Sequence, residues 1–292
     1  NTGESFIQIT SALVEQGLVR SATAFKLYSV FTGAAPQFKP GVYQFAPTLT
    51  SAAIARRLVA GPPEIEVRIK DGRSVRDVDQ LLARVGVLET ETLAGVDLKA
   101  LAREYPFLEG VEDLEGFLFP DTYRFHAGAT AIEVARKFLD QFSAQAGPLL
   151  FAGESASRTS WYRTLILASL LEREVPDDHD RRLVLGILER RLALGMPLQV
   201  DATVAFAACG GFDSCQPLTR SDFALSSVFN TYRRTGLPPR PIASPGAAAI
   251  EAARNPIASR YLYYLSDPAT GKTVFAVTLE EHNRNRARYL HL

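Results

Sequence analysis

The sequence of 292 residues lacks most of the features that assign a function directly. It has no charge excess, because 32 basic residues balance 32 acidic ones. That removes the basic footprint of a nucleic-acid binder and leaves no acidic tail. It has no run of about 18 apolar residues, so no segment reads as a bilayer span. Histidine is scarce, and His126, His179, His282 and His291 make no metal-ligand spacing. No HExxH, CxxC or GxSxG occurs, which removes the zinc-protease, redox and serine-hydrolase signatures. The only cysteines are Cys209 and Cys215, in ACGGFDSC. Two glycines and an aspartate between them allow one disulfide to close a tight loop, which points to an oxidising compartment; two free thiols are the alternative. The chain opens at Asn1 rather than Met, leaving room for a preceding signal or anchor.

What is present is ordinary globular material, 47% apolar and 10% aromatic, long enough for two or three domains. Gly3-x-Ser5-x3-Ile9-x3-Leu13-x3-Gly17 recurs as Gly72-x-Ser74-x3-Val78-x3-Leu82-x3-Gly86, with a shorter echo from Thr50 to Gly61. In each copy a hydroxyl residue can cap the first turn and apolar residues recur every four positions, and the first two end in a glycine that suits a helix stop, so each predicts a short amphipathic helix. Residues 41–45 and 65–69 alternate as strands. The pattern gives an α+β chain: small modules at 1–62 and 63–112, then a mixed α+β domain at 113–292. In that domain helices are expected near 131–142, 162–174 and 181–194, and strands at 261–265 and 273–277. Beyond Gly195 the sequence turns rich in Gly, Pro and Ser, and irregular stretches of that length are more often functional than not. Ser266-x4-Gly271-Lys272-Thr273 imitates a phosphate loop but runs into a strand, so it reads as a hairpin turn.

The informative segment is LASLLEREVP, from Leu167 to Pro176. At about 100° per residue, Glu174 falls about 20° from Leu167, between Leu170 and Leu171. Glu172 falls about 140° away and reads as a solvated charge. Pro176 excludes helix at Val175 and puts Glu174 in the last turn. Apolar neighbours and the negative end of the helix should both raise its pKa. A carboxyl protonated near neutrality is what a general acid requires. The alternative is a half-buried Glu paired with an arginine.

Polar residues also gather among prolines and glycines in EGFLFPDTY (115–123), Gln199–Thr203, Asn230–Tyr232 and GLPPRPIASPG (236–246). Aromatic rings beside amides, carboxylates and hydroxyls are the materials of a carbohydrate cleft; turn chemistry and core aromatics are the alternative.

In these stretches, and in GMPLQVDATV (195–204), FNTYRRTG (229–236) and YLYYLSDPATGKTVFAVTLEEHN (261–283), the chain resembles the YceG-like endolytic murein transglycosylases. The motifs run in the family's order across residues 113–292, and the N-terminal repeats resemble the LysM-like modules that precede its catalytic domain. Val200, Ala202 and Phe229 depart from the usual pattern. The resemblance implies an enzyme, a lyase that cuts the β-1,4 bond between N-acetylmuramic acid and N-acetylglucosamine within peptidoglycan strands and leaves 1,6-anhydro ends. Glu174 would be acid and then base, with no cofactor or metal. Gln199, Asn230, Thr231 and Tyr232 would lie along the cleft, Glu115, Asp201 and Thr203 would position substrate, and Asp121 and Tyr123 would support it. The partners implied are glycan strands and peptidoglycan synthases, not nucleic acid. The implied location is periplasmic or wall-facing, behind an N-terminal membrane helix absent from this chain. A hydrolytic muramidase and a non-catalytic wall-binding protein are the rival readings.

Overall fold

A computed structural model describes residues 5–39, 41, 43–88, 93–151 and 157–290. The first unit contains helices α1 (Phe6–Glu15), α2 (Ala22–Phe31) and α3 (Ser51–Ala60). Ser5, Ser21 and Thr50 cap them with side-chain oxygens; Gly17, the expected stop of the first repeat, takes a positive φ, and so does Gly61 after α3. Leu13, Val19, Phe25, Ile54, Ala55 and Leu58 form a small core of their own. Residues 43–45 of the strand expected at 41–45 are not a strand, and Val42 lies outside the described residues. No strand occurs among the described residues up to 63, so a strand there would leave its N–H and C=O groups without a ladder. The LysM-like α+β form expected for 1–62 is therefore not seen among these residues.

Among its described residues the second module has no core of its own. Strand β1 (Glu64–Arg68) pairs antiparallel with β2 (Thr122–His126), Val67 opposite Tyr123, across the expected boundary at 112. Helices α4 (Val75–Arg84) and α5 (Leu98–Ala102) bury Val78, Leu82 and Leu101 in the same large core as the rest of the chain. One strand and two short helices bury too little to stand alone. The described residues between 64 and 289 thus share one core as a mixed α+β body.

The chain continues as α6 (Ala131–Gln145), α7 (Gly147–Leu150), α8 (Arg158–Glu174) and α9 (Asp178–Ala193). Then come α10 (Asp201–Cys209), α11 (Arg220–Phe223), α12 (Ala247–Arg254), the hairpin β3 (Tyr263–Ser266) and β4 (Thr273–Ala276), and α13 (Leu279–Tyr289). The imitation phosphate loop is the turn of this hairpin, where Gly271 at φ 69° donates to Asp267. The sequence pattern missed α10, α12 and α13, which lie where it expected irregular chain. No described helix is long and apolar enough to cross a membrane.

Helix α8 is the axis of the body. Residues 165–171 are all buried, and seven successive positions on a helix cover its whole circumference. Helices α9, α10 and α12 pack on it, and Ser169 accepts a hydrogen bond from Ile242 N–H, tying the PIASPG segment along it. Close approach is required at Gly246, where an added Cβ would sit 2.2 Å from Asp71 Oδ1.

Cys209 and Cys215 are joined in a disulfide. The loop it closes docks on the start of α4, where buried Asp77 accepts Phe212 and Asp213 N–H at 3.0 Å while completing the capping box with Ser74. A loop this short contributes about 2 kcal/mol through the unfolded chain. Cys209→Ser with Cys215→Ser should therefore lower the urea midpoint of unfolding.

Candidate active site

Helix α8 stops at Glu174 because Val175 is extended (φ -140°, ψ 135°) ahead of Pro176. The Arg181 guanidinium caps the end, donating from Nε to Val175 O at 2.8 Å and from Nη2 to Glu172 Oε1 at 2.7 Å. Glu172 also accepts Gly246 N–H at 2.9 Å, and its side chain is 8% exposed. This corrects the sequence reading of Glu172 as a solvated charge. The side of α8 away from the leucines faces α12 and the Gly246 turn, not water. Burial raises the Glu172 pKa, and Gly246 N–H and Arg181 hold it down.

Glu174 opens instead into a cleft of about 690 Å³. Its walls are Gln199 and Asp201 at the start of α10, Arg191 of α9, Tyr232, Tyr263 and Tyr264 of β3, and His282 and Arg286 of α13. Tyr264 Oη donates to Glu174 Oε2 at 2.8 Å, and no arginine among the described residues forms an ion pair with this carboxyl. Burial pushes the Glu174 pKa up to about 7; the Tyr264 hydroxyl, Ala202 N–H and Arg173 oppose the rise, and the Asp201 carboxylate adds to it. The Tyr232 hydroxyl donates to Asp201 Oδ1. Arg191 is consumed by structure: it donates to Leu262 O, Pro197 O, Leu198 O and Gln199 Oε1, with its guanidinium over the Tyr263 ring. Through it Gln199 is held at φ 54°, in the left-handed region that a non-glycine residue seldom occupies.

The structure thus brings Glu174, Gln199, Asp201 and Tyr232 together on one cleft and leaves the other expected residues out of its lining. Thr203 and Thr231 are buried behind the wall, their hydroxyls 2.9 Å apart, with Thr231 Oγ1 accepting Val200 N–H. Asn230 is buried and donates to Phe223 O and Leu225 O, so it shapes the turn that presents Tyr232. Tyr123 is a core ring packed on Phe138, 4.5 Å between centroids, with its hydroxyl on Phe119 O. Asp121 is exposed and accepts from Gln141. Glu115 is buried under α4, accepts Val75 N–H at 3.2 Å, and lines a second cavity of about 470 Å³ with Asp113, Phe229 and Arg240. For Tyr123, Thr203, Asn230 and Thr231, the core-and-turn alternative describes the observed contacts. The sequence reading missed Arg191, Tyr263, Tyr264, His282 and Arg286 as cleft residues. The ring-rich YLYY run was the available signal, but nothing local says which helix end a hairpin will cover.

A carboxyl whose pKa is raised by burial, set among half-buried rings and hydroxyls at the wall of a cleft, is the make-up of a candidate acid–base site. The chain belongs to the YceG-like family, whose pattern matches residues 1–288. The endolytic murein transglycosylase of Bacillus subtilis (strain 168) is 29% identical over 304 residues, covering 99% of this chain and 83% of that protein. The endolytic murein transglycosylase of Streptococcus pneumoniae serotype 2 is 28% identical, covering 99% of this chain and 57% of its own length. A YceG-like protein from Listeria monocytogenes, known from a crystal structure, has a TM-score of 0.66 at 27% identity, covering 98% of this chain and 97% of that one.

Proposed function

We propose that this chain is an endolytic murein transglycosylase with Glu174 as its single acid and base. The observation that carries the reading is the Glu174 carboxyl at the wall of an open, tyrosine-rich cleft, held by the Tyr264 hydroxyl and with no arginine ion pair among the described residues, where burial pushes its pKa up to about 7. Glu174 protonates the glycosidic oxygen as the C1–O bond between N-acetylmuramic acid and N-acetylglucosamine breaks. The resulting carboxylate takes the proton of the muramyl 6-hydroxyl as O6 bonds to C1, leaving a 1,6-anhydro end. A pKa near neutrality suits a group that must give a proton and then receive one. The attacking oxygen belongs to the sugar itself, so the paired carboxylates of ordinary glycosidases are not required. Murein lies in the cell envelope, and the Cys209–Cys215 disulfide fits an oxidising compartment there.

Asp201, in the same cleft, favours one rival: hydrolysis with that carboxylate as base or nucleophile. Against it, Asp201 already accepts the Tyr232 hydroxyl. Mass spectrometry of purified peptidoglycan after digestion separates the two. Anhydro ends are lighter by one water than reducing ends, and a product set made only of reducing ends would replace this reading with hydrolysis.

A further inference from the structure

Of the two Glu174 oxygens, Oε2 already has a side-chain donor in place. Oε2 receives the Tyr264 hydroxyl at 2.8 Å from β3, whose backbone register is fixed by pairing with β4, Tyr264 opposite Phe275. The main-chain N–H of Ala202, in the first turn of α10, also reaches the carboxyl. Both donors favour the ionised form, and both are rigidly mounted, one on a hairpin and one on a helix start. Burial and the Asp201 carboxylate act in the opposite direction. The other charged or titratable groups facing this cleft are Tyr232, Tyr263 beside Tyr264 on β3, Arg191 of α9, and His282 and Arg286 of α13, with Arg173 acting from α8 itself.

We infer that Tyr264 is a positioning residue for Glu174: its hydroxyl commits Oε2 as an acceptor, so that Oε1 carries and exchanges the proton. The inference rests on Glu174 being the acid proposed above. When the Oε1–H bond breaks toward the glycosidic oxygen, negative charge develops on the carboxylate, and the Tyr264 O–H is already aimed at it. A preset donor needs no reorganisation at that moment. Burial alone would make a carboxyl that holds its proton too strongly to release it; the tyrosine offsets part of that.

Tyr264→Phe removes one oxygen and keeps the ring. Protonated Glu174 is the active form, so kcat/KM falls as pH rises through its pKa. Losing a donor to the carboxylate raises that pKa, so the alkaline limb of Tyr264→Phe should move up by about one pH unit while the plateau falls about tenfold. A limb that stays at the parent midpoint or moves down overturns the inference, whatever the plateau does. A second measurement needs no turnover. The unfolding free-energy difference between Glu174 and Glu174→Gln, followed against pH in the parent and again in the Tyr264→Phe background, reads the folded-state pKa of Glu174 directly. If the parent makes no anhydro ends but this difference still moves upward in pH, the proposed reaction fails and the role of Tyr264 stands. If anhydro ends form and neither readout moves, only the role of Tyr264 fails.

Discussion

Glu174→Gln is expected to lower peptidoglycan cleavage by about 10²–10⁴-fold, the usual worth of a positioned acid–base group, without unfolding the protein. Gln keeps the shape and can still accept the Tyr264 hydroxyl, but it has no proton to exchange. Release of soluble muropeptides per folded molecule is the measurement, and turnover close to that of the parent would remove Glu174 from the mechanism. Stability should change in the opposite sense. The folded carboxyl titrates at about 7, against an ordinary 4.5. Between those values the folded protein keeps a proton that the unfolded chain has lost, so folding weakens as pH rises through that window. The amide carries no such penalty. Above pH 7 the variant should exceed the parent by about 1–3 kcal/mol, and below pH 4.5 the difference should vanish. A variant less stable than its parent at high pH would mean that the carboxyl is held by favourable pairing, not burial.

Glu172→Ala is expected to show the reverse pattern, with large damage to stability and little to chemistry. Glu172 is the partner of Arg181, whose side chain is 11% exposed, and it also receives Gly246 N–H. Removing it leaves a guanidinium and a backbone donor buried without their acceptor, at a cost of about 3 kcal/mol. For a domain of this size that is a fall in Tm of about 6–12 °C. Activity per folded molecule should stay within a few-fold, because Glu172 does not line the cleft. The two glutamates, two residues apart on one helix, thus separate cleanly into a group that reacts and a group that holds the helix in place.

What the chain determined unaided was local. Capping residues and glycine stops placed α1, α3 and α4 to within a residue or so, because caps act through hydrogen bonds to the adjacent turn. The phase of the leucines put Glu174 on a different side of α8 from Glu172, and Pro176 fixed the helix end. These follow from periodicity and a ring constraint, which need no partner. Tertiary structure decided the rest. Whether Glu172 met water depended on α12 and the Gly246 turn, which arrive much later in the chain. The boundary at 112 disappeared because β1 found its ladder partner in β2. Asn230 and Thr231 look like cleft residues in sequence and proved to be the bonds behind Tyr232. The sequence named the carboxyl that would be unusual, but its pKa belongs to the enclosure: Tyr264, Ala202 and Asp201 come from segments with no local relation to α8, and only the packed chain brings them to one oxygen pair.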